Sequence, residues 1–312
     1  MRVLALIGGM LRAKRTESRS RVSRMSAALL PLLLMHAAPT VAHARQASAG
    51  GDAGEQVRRS LEAAAPAIDF TTAQLRHSRV LQARLQMRFG IKRLFRERGI
   101  PYPAEQIFIR VFKRERTLEL WVRSGNSDRF SLLKQYMICA LAGELGPKRS
   151  QGDGQTPEGF YESDHFNPSS IYLLSLHLNY PNRSDRILGG VQNNLGGDIF
   201  IHGGCETEGC IAVTDDAIKE LYWIGVEARA AGQQRIPVHI FPARLTAEEL
   251  DVLRRKFADR PDLLAFWSSL KPGFDHFENT RQLPPIRIDP KGHYGLLGEV
   301  ETAATATTAR AR

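Results

Sequence analysis

The sequence predicts an α+β fold in which a β-rich central domain is flanked by an N-terminal helix and by C-terminal helices. A helix-period apolar pattern lies within residues 71–105, and strand-length apolar runs fill residues 106–242. Helix-capping and Pro-rich segments follow over residues 243–298. Hydrophobic residues make up 43% of the chain and charged residues 24%, which indicates a folded globular core.

The N-terminal helix is predicted from about Leu75 to Arg98, where apolar residues recur at helical spacing and Gly99 ends the pattern. Its other side carries basic residues four positions apart, namely Arg84, Arg88, Lys92 and Arg96. Such a row is usually a solvated helix face. The alternative is a surface that docks to an acidic polymer.

The central domain is predicted to begin with a hairpin and to continue through four more strand regions. In chain order these regions are Ile107–Phe112, Leu118–Val122, Phe130–Ala142, Ile171–Leu178, Asp198–Ile201 and Pro237–Phe241. A Gly/Pro-rich loop, Gly152–Tyr161, leads into a further short strand. Thr214 is a good N-cap for a helix that would run to about Ala231, and Thr246–Glu249 is a capping box that would open another helix.

The two ends of the chain are predicted to lie outside the fold. Residues 1–44 combine an Arg-rich stretch, the apolar run Ala27–Met35 and small residues up to Ala44, which is the pattern of a cleaved secretory signal. We therefore expect export to the periplasm and no stable membrane span after cleavage; an uncleaved anchor is the alternative. Residues 45–70 are predicted to be a flexible leader and residues 299–312 a disordered tail.

The charge distribution argues against a nucleic-acid partner. Of the formal charge of +10, residues 1–44 contribute +6 from seven basic residues and one acid, so the remainder carries about +4. A mildly basic protein would suit an anionic, insoluble polymer such as a cell wall.

Cys210 is the candidate nucleophile. The chain has three cysteines, so in an exported protein at least one thiol stays unpaired. Cys210 lies four residues before the Thr214 N-cap, and His202 ends a short strand with seven residues between it and Cys210, a separation that a folded loop can close. The backbone amides of Gly209 and Cys210 are candidates for an oxyanion hole. The residues alone support a reactive thiol and a small buried cysteine about equally.

Two motifs together resemble the L,D-transpeptidase (YkuD) catalytic domain, more closely its YafK-like branch. They are Gly152–Tyr161 and the stretch from His202 through Cys210 to Asp215, in the family's order. The resemblance covers about residues 70–290 and implies a YkuD-type fold for the β-rich domain. It also implies that Cys210 is the nucleophile, that His202 is its base, and that the Gly203 carbonyl orients the histidine.

The chain departs from the common family pattern beside the nucleophile. Thr207 matches a Ser/Thr of that pattern, but Glu208 replaces a histidine and Ala212 stands where an arginine or asparagine is usual. Thr207, Glu208 and Tyr180 are the candidate substrate contacts. The departures leave a non-catalytic peptidoglycan-binding protein as one alternative.

The resemblance implies acyl transfer on peptidoglycan stem peptides. The thiolate would attack the carbonyl at the L-centre of diaminopimelate to form a thioester. An amine would resolve the thioester in a transpeptidase, and water would do so in an amidase that releases a peptidoglycan-linked lipoprotein. No cofactor is implied.

The other two cysteines are predicted to be structural. Cys139 lies in an apolar run and is expected in the core. Cys205 is interpreted either as a packed turn residue or as a disulfide partner that guards Cys210. A zinc site of His202, Cys205 and Cys210 is a weaker alternative because no fourth ligand follows nearby, so no metal is expected.

Overall fold

The computed structural model describes residues 69–190 and 194–298. The predicted signal segment 1–44, nearly all of the leader 45–70 and the tail 299–312 lie outside the described residues. Within the described part, no helix is both long and apolar enough to cross a membrane.

The described chain forms six helices and ten strands. The helices are α1 (Phe70–Leu75), α2 (Ser78–Glu97), α3 (Arg183–Gly189), α4 (Asp215–Ala230), α5 (Ala247–Lys256) and α6 (Pro261–Thr280). The strands are β1 (Gln106–Phe112), β2 (Thr117–Arg123), β3 (Ser131–Leu141), β4 (Gly159–Asn167), β5 (Ser175–Leu178), β6 (Phe200–His202), β7 (Ile211–Val213), β8 (Ile236–Phe241), β9 (Ile286–Ile288) and β10 (Tyr294–Leu296).

Eight of the strands close into a barrel in the order β1-β2-β3-β7-β6-β5-β4-β8. Neighbouring strands are antiparallel except for the pairs β1–β8 and β6–β7, which are parallel. The mixture of helices around a sheet-rich core agrees with the predicted α+β class. Closure of the sheet into a barrel, and the small β9–β10 hairpin, were not predicted.

Helices α2 and α4 pack against one side of this core. In α2 the predicted apolar positions Ile91 and Phe95 are buried, so the helix forms where its pattern indicated. Helix α4 starts at its predicted cap, where the Thr214 hydroxyl accepts a hydrogen bond from the Ala217 amide at 3.3 Å. Asp215 and Asp216 occupy its first turn, where the helix dipole favours negative charge.

The strand predicted over Ile171–Leu178 is half wrong, because only Ser175–Leu178 pairs with neighbours. Leu173 has a φ of 72°, which breaks an extended strand, and Ile171 is 90% exposed. The Arg79 guanidinium donates hydrogen bonds to the Ser170 and Leu173 carbonyls and holds this turn in place. The first half of the apolar run, residues 171–174, therefore forms a loop that borders a cleft.

The predicted Gly/Pro-rich loop contains a buried carboxylate that ties three parts of the fold together. Glu158 is fully buried and forms an ion pair with Lys113 at 3.1 Å. It also accepts hydrogen bonds from the Gly146 amide and from the Trp267 indole, both at 2.7 Å. The end of β1, the loop before β4 and helix α6 therefore share one polar cluster.

Removing this carboxylate should strongly destabilise the fold. In Glu158→Ala, Lys113 and Trp267 lose a buried partner, so we expect a loss of about 3–5 kcal/mol in unfolding free energy, measured by denaturant titration. The matched control is Glu162→Ala, whose ion pair with Arg235 at 2.9 Å is exposed and should be worth about 0–1 kcal/mol. Equal effects of the two substitutions would contradict the scaffold role of Glu158.

Candidate active site

The parallel pairing of β6 and β7 brings the candidate residues together. Ile201 pairs with Ile211 and His202 with Ala212, so Cys210 lies immediately before β7 beside the start of β6. The Phe200 amide reaches the Cys210 sulfur at 3.4 Å. The two strands thus place His202 and Cys210 on neighbouring segments of the barrel.

His202 is held in one orientation and one tautomer. Its Nδ1 lies 2.6 Å from the Gly203 carbonyl, which can only accept, so Nδ1 carries the proton. In neutral histidine Nε2 is then unprotonated, and this buried atom has no hydrogen-bond partner among the described residues. The ring stacks on Tyr172 with 4.4 Å between centroids. Nε2 is therefore available to take a proton.

Cys210 is the free cysteine of the described chain, and its surroundings keep it a thiol. Burial raises the pKa of the Cys210 thiol above its ordinary value, although hydrogen bonds from the Phe200 amide and the Thr207 side chain oppose this. Burial also lowers the pKa of His202, against the hydrogen bond to Gly203. The resting pair is therefore neutral thiol and neutral imidazole, and the thiolate must form as the proton passes to a base.

Gly203 has no room for a side chain. A Cβ at this position would lie 2.7 Å from the Asp215 carboxylate, 3.0 Å from Ile218 and 3.0 Å from the Tyr172 carbonyl. The same Asp215 carboxylate accepts a hydrogen bond from the Gly204 amide at 3.0 Å. The first turn of α4 thereby fixes the turn whose carbonyl orients His202.

The amides predicted for an oxyanion hole are both engaged by Thr207. Its hydroxyl oxygen accepts hydrogen bonds from the Gly209 amide at 3.2 Å and from the Cys210 amide at 2.7 Å. Thr207, predicted as a substrate contact, therefore also organises the nucleophile turn. The carbonyl of Cys210 accepts in turn from the buried Thr156 hydroxyl at 3.2 Å.

Two clefts meet at the cysteine. One, of about 470 Å³, is bordered by Lys148, Gly152, Gly196 and the segment Thr207–Cys210. The other, of about 340 Å³, is bordered mainly by the turn before β5. Four residues line both: Tyr172, Asp198, His202 and Cys210. Both clefts therefore reach Cys210 and His202.

The other two candidate substrate contacts lie in different places. Glu208 is exposed and borders the larger cleft. Tyr180 borders neither cleft: it is only 4% exposed, and its hydroxyl donates to the Leu195 carbonyl at 3.2 Å. The structure therefore gives Tyr180 a packing role. Sequence reasoning missed Tyr172, whose position over His202 depends on the turn that was predicted as a strand.

Cys139 and Cys205 form a disulfide, which corrects the predictions for both residues. Their Cα atoms are 5.2 Å apart although 66 positions separate them in the chain. Cys205 is thus neither a disulfide partner of Cys210 nor a simple packed residue, and Cys139 is not a free core cysteine. The zinc site considered above also fails, because the Cys205 sulfur is bonded to Cys139 and cannot be a thiolate ligand. The bond anchors the turn after His202 to β3. The odd cysteine count correctly indicated one free thiol but not which one.

Comparison with known proteins assigns the chain to a family. The sequence model of the YkuD L,D-transpeptidase catalytic domain matches residues 106–227, which include both motifs. The chain belongs to this family. Two Escherichia coli proteins, from strains K12 and O157:H7, are each described as "Putative L,D-transpeptidase YafK" and are 38% identical over 184 residues, covering 58% of this chain and 70% of theirs.

Two solved structures also align with the chain, at low scores. The helical cell shape determining protein Pgp2 from Campylobacter jejuni is 18% identical with a TM-score of 0.36, covering 67% of this chain and 84% of that one. Bd1075 from Bdellovibrio bacteriovorus is 24% identical with a TM-score of 0.32, covering 55% and 60%. The family assignment does not depend on these alignments.

The neutral resting pair predicts how Cys210 responds to pH. Because burial raises the pKa of the Cys210 thiol above its ordinary value and lowers that of His202, the rate of alkylation by iodoacetamide should keep rising as pH increases through about 9. Intact-mass kinetics would measure it, with denatured protein as the reference thiol. A plateau reached below about pH 8 would indicate a preformed thiolate and contradict this description.

The disulfide predicts a matched set of cysteine variants. Closing a loop of this length is worth about 4 kcal/mol in the entropic model, so Cys139→Ser/Cys205→Ser should lower the unfolding free energy by about 2–4 kcal/mol. Cys210→Ser, which breaks no covalent bond, is the control and should change it little. Finding three alkylated cysteines in denatured, non-reduced wild-type protein would show that the bond does not form.

Proposed function

We propose that this protein is a cysteine acyltransferase that acts on peptidoglycan stem peptides through a thioester on Cys210. One observation carries the proposal: the free thiol lies with an oriented histidine at the junction of two clefts. Membership of the L,D-transpeptidase family supports the choice of a peptide acyl group as substrate.

The first half-reaction follows from the protonation states. The imidazole Nε2 takes the thiol proton as the sulfur attacks the carbonyl at the L-centre of diaminopimelate. The carbonyl oxygen gains negative charge, which the Gly209 and Cys210 amides would stabilise. As the intermediate collapses, imidazolium returns the proton to the departing amine and leaves the thioester.

The two clefts support transfer to an amine as the second half-reaction. A thioester on Cys210 would occupy one cleft while an acceptor amine enters by the other, loses its proton to His202 and attacks the acyl carbon. If water enters instead, the same residues perform hydrolysis, which corresponds to an amidase that releases a peptidoglycan-linked lipoprotein. The oriented Cys210–His202 pair favours either enzyme over a degenerate binding protein.

A peptidoglycan substrate goes together with a cell-envelope location. The secretory pattern of residues 1–44 supports export to the periplasm, where stem peptides are accessible. Both half-reactions proceed through the thiol and imidazole, so the proposed chemistry uses no cofactor.

Purified protein incubated with defined muropeptides tests the proposal by mass spectrometry. Loss of the terminal residue together with joining to an added amine identifies a transferase, and loss with uptake of water identifies a hydrolase. Cys210→Ala should abolish both products, and His202→Ala should lower the rate by about 10²–10⁴-fold. An acyl-enzyme mass on Cys210 should accumulate when no acceptor is present.

The control variant is Tyr180→Phe, which removes a hydroxyl outside both clefts and should leave turnover close to that of the wild type. Product formation that persists in Cys210→Ala would refute the assignment. Binding of muropeptides without any turnover or thiol acylation would instead identify a non-catalytic binding protein.

A further inference from the structure

The outward face of α2 exposes large apolar side chains in a regular row. Leu81 is 40% exposed, Leu85 51% and Phe89 68%. Their spacing of four residues places them on one side of the helix, where they are exposed, whereas Ile91 and Phe95 are buried. Seven large apolar residues are exposed in the described part of the chain, and three of them form this row.

Basic side chains surround the apolar row. The helix carries six basic residues and one acid, Glu97, a net charge of +5; the basic residues are Arg79, Arg84, Arg88, Lys92, Arg93 and Arg96. Arg88 lies three positions after Leu85, and Lys92 three after Phe89, so both are neighbours of the row on the helix surface. The Arg88 guanidinium lies 4.4 Å from the centre of the Phe89 ring.

Few of these charges form ion pairs within the protein, although the Glu227 carboxylate attracts Arg84 and Lys92. Among the described residues, carboxylates form no ion pair with Arg84, Arg88, Lys92 or Arg96, and Arg93 pairs with Glu97 only at 3.7 Å. Arg84 and Lys92 instead lie over the rings of Trp223 and Tyr102. A positively charged, partly apolar face is thus presented outward.

The positive charge of the outward face of α2 determines which kind of partner can bind there. Residues 45–68, which follow the predicted cleavage site, hold three basic and three acidic residues, so they offer α2 no net negative charge. A second copy would bring the same +5 face against itself. The complement must therefore be anionic.

The apolar row distinguishes a lipid surface from an acidic polymer. A polyanion in water is bound by cations alone and gives exposed Leu and Phe side chains nothing to enter. A bilayer with anionic headgroups can bind both kinds of side chain, because the apolar side chains enter the acyl boundary while Lys and Arg contact the headgroups. We infer that α2 docks this protein on the surface of an anionic phospholipid bilayer.

Vesicle co-sedimentation of the full chain tests the inference. Vesicles of phosphatidylglycerol in phosphatidylethanolamine should bind the wild type, with affinity that falls as salt is raised, whereas phosphatidylcholine vesicles should bind weakly. Leu81→Gln/Leu85→Gln/Phe89→Gln should lower affinity for the anionic vesicles about tenfold or more. Arg88→Gln/Lys92→Gln/Arg96→Gln should lower it comparably and reduce the salt dependence.

The matched control is Met137→Gln/Leu297→Gln, which removes exposed apolar side chains, 77% and 63% accessible, from other elements and should bind as the wild type does. All variants share the same N-terminal segment, so its own affinity for lipid cancels in the comparison.

Equal binding by wild type and the apolar triple variant would overturn the inference. Binding to isolated sacculi that depends on the basic residues but not on the apolar row would identify an acidic polymer as the partner instead. Turnover of soluble muropeptides should be unchanged in every variant, which separates this test from that of the proposed function.

Discussion

The short parallel connection between β6 and β7 is the constraint on which the site depends. Parallel neighbours usually need a crossover of about a dozen residues or more, yet here residues 203–210 make the whole connection. Such a tight return needs backbone in the left-handed region, which Gly204 adopts at a φ of 85° and Cys205 at 53°. A non-glycine residue held there is disfavoured on its own, and its disulfide to β3 fixes it in place.

This geometry sets the chemistry of the pair. At the start of this connection the His202 Nδ1 lies 2.6 Å from the carbonyl of the residue that follows it, and that contact decides which nitrogen carries the proton. Burial then keeps both partners uncharged, because an ion pair would have to be desolvated at rest. In the proposed reaction, charge would separate as the sulfur attacks the substrate carbonyl, and the neutral thiol would be the less reactive form before that step.

Local signals predicted what local interactions determine. Short-range sequence patterns encode three features: the apolar periodicity of α2, the β1–β2 hairpin and the Thr214 N-cap. Each of them forms where its pattern predicted. The Cys139–Cys205 bond could not be predicted in this way, because it depends on β3 lying beside β7 in the closed barrel. The apolar run before β5 was misinterpreted for a related reason: the Arg79 side chain, distant in sequence, holds it as a turn.

Thr207 shows how the resting turn can be organised without blocking catalysis. The two amides that would hold an oxyanion already donate to its hydroxyl, so these buried donors are not left unsatisfied. A neutral hydroxyl is a weaker acceptor than the oxygen of a tetrahedral intermediate, which carries a full negative charge. In the proposed reaction the amides would therefore gain more from the charged oxygen than they lose by leaving Thr207. An interaction that strengthens only as charge develops would accelerate acyl transfer, because it stabilises the transition state more than the resting enzyme.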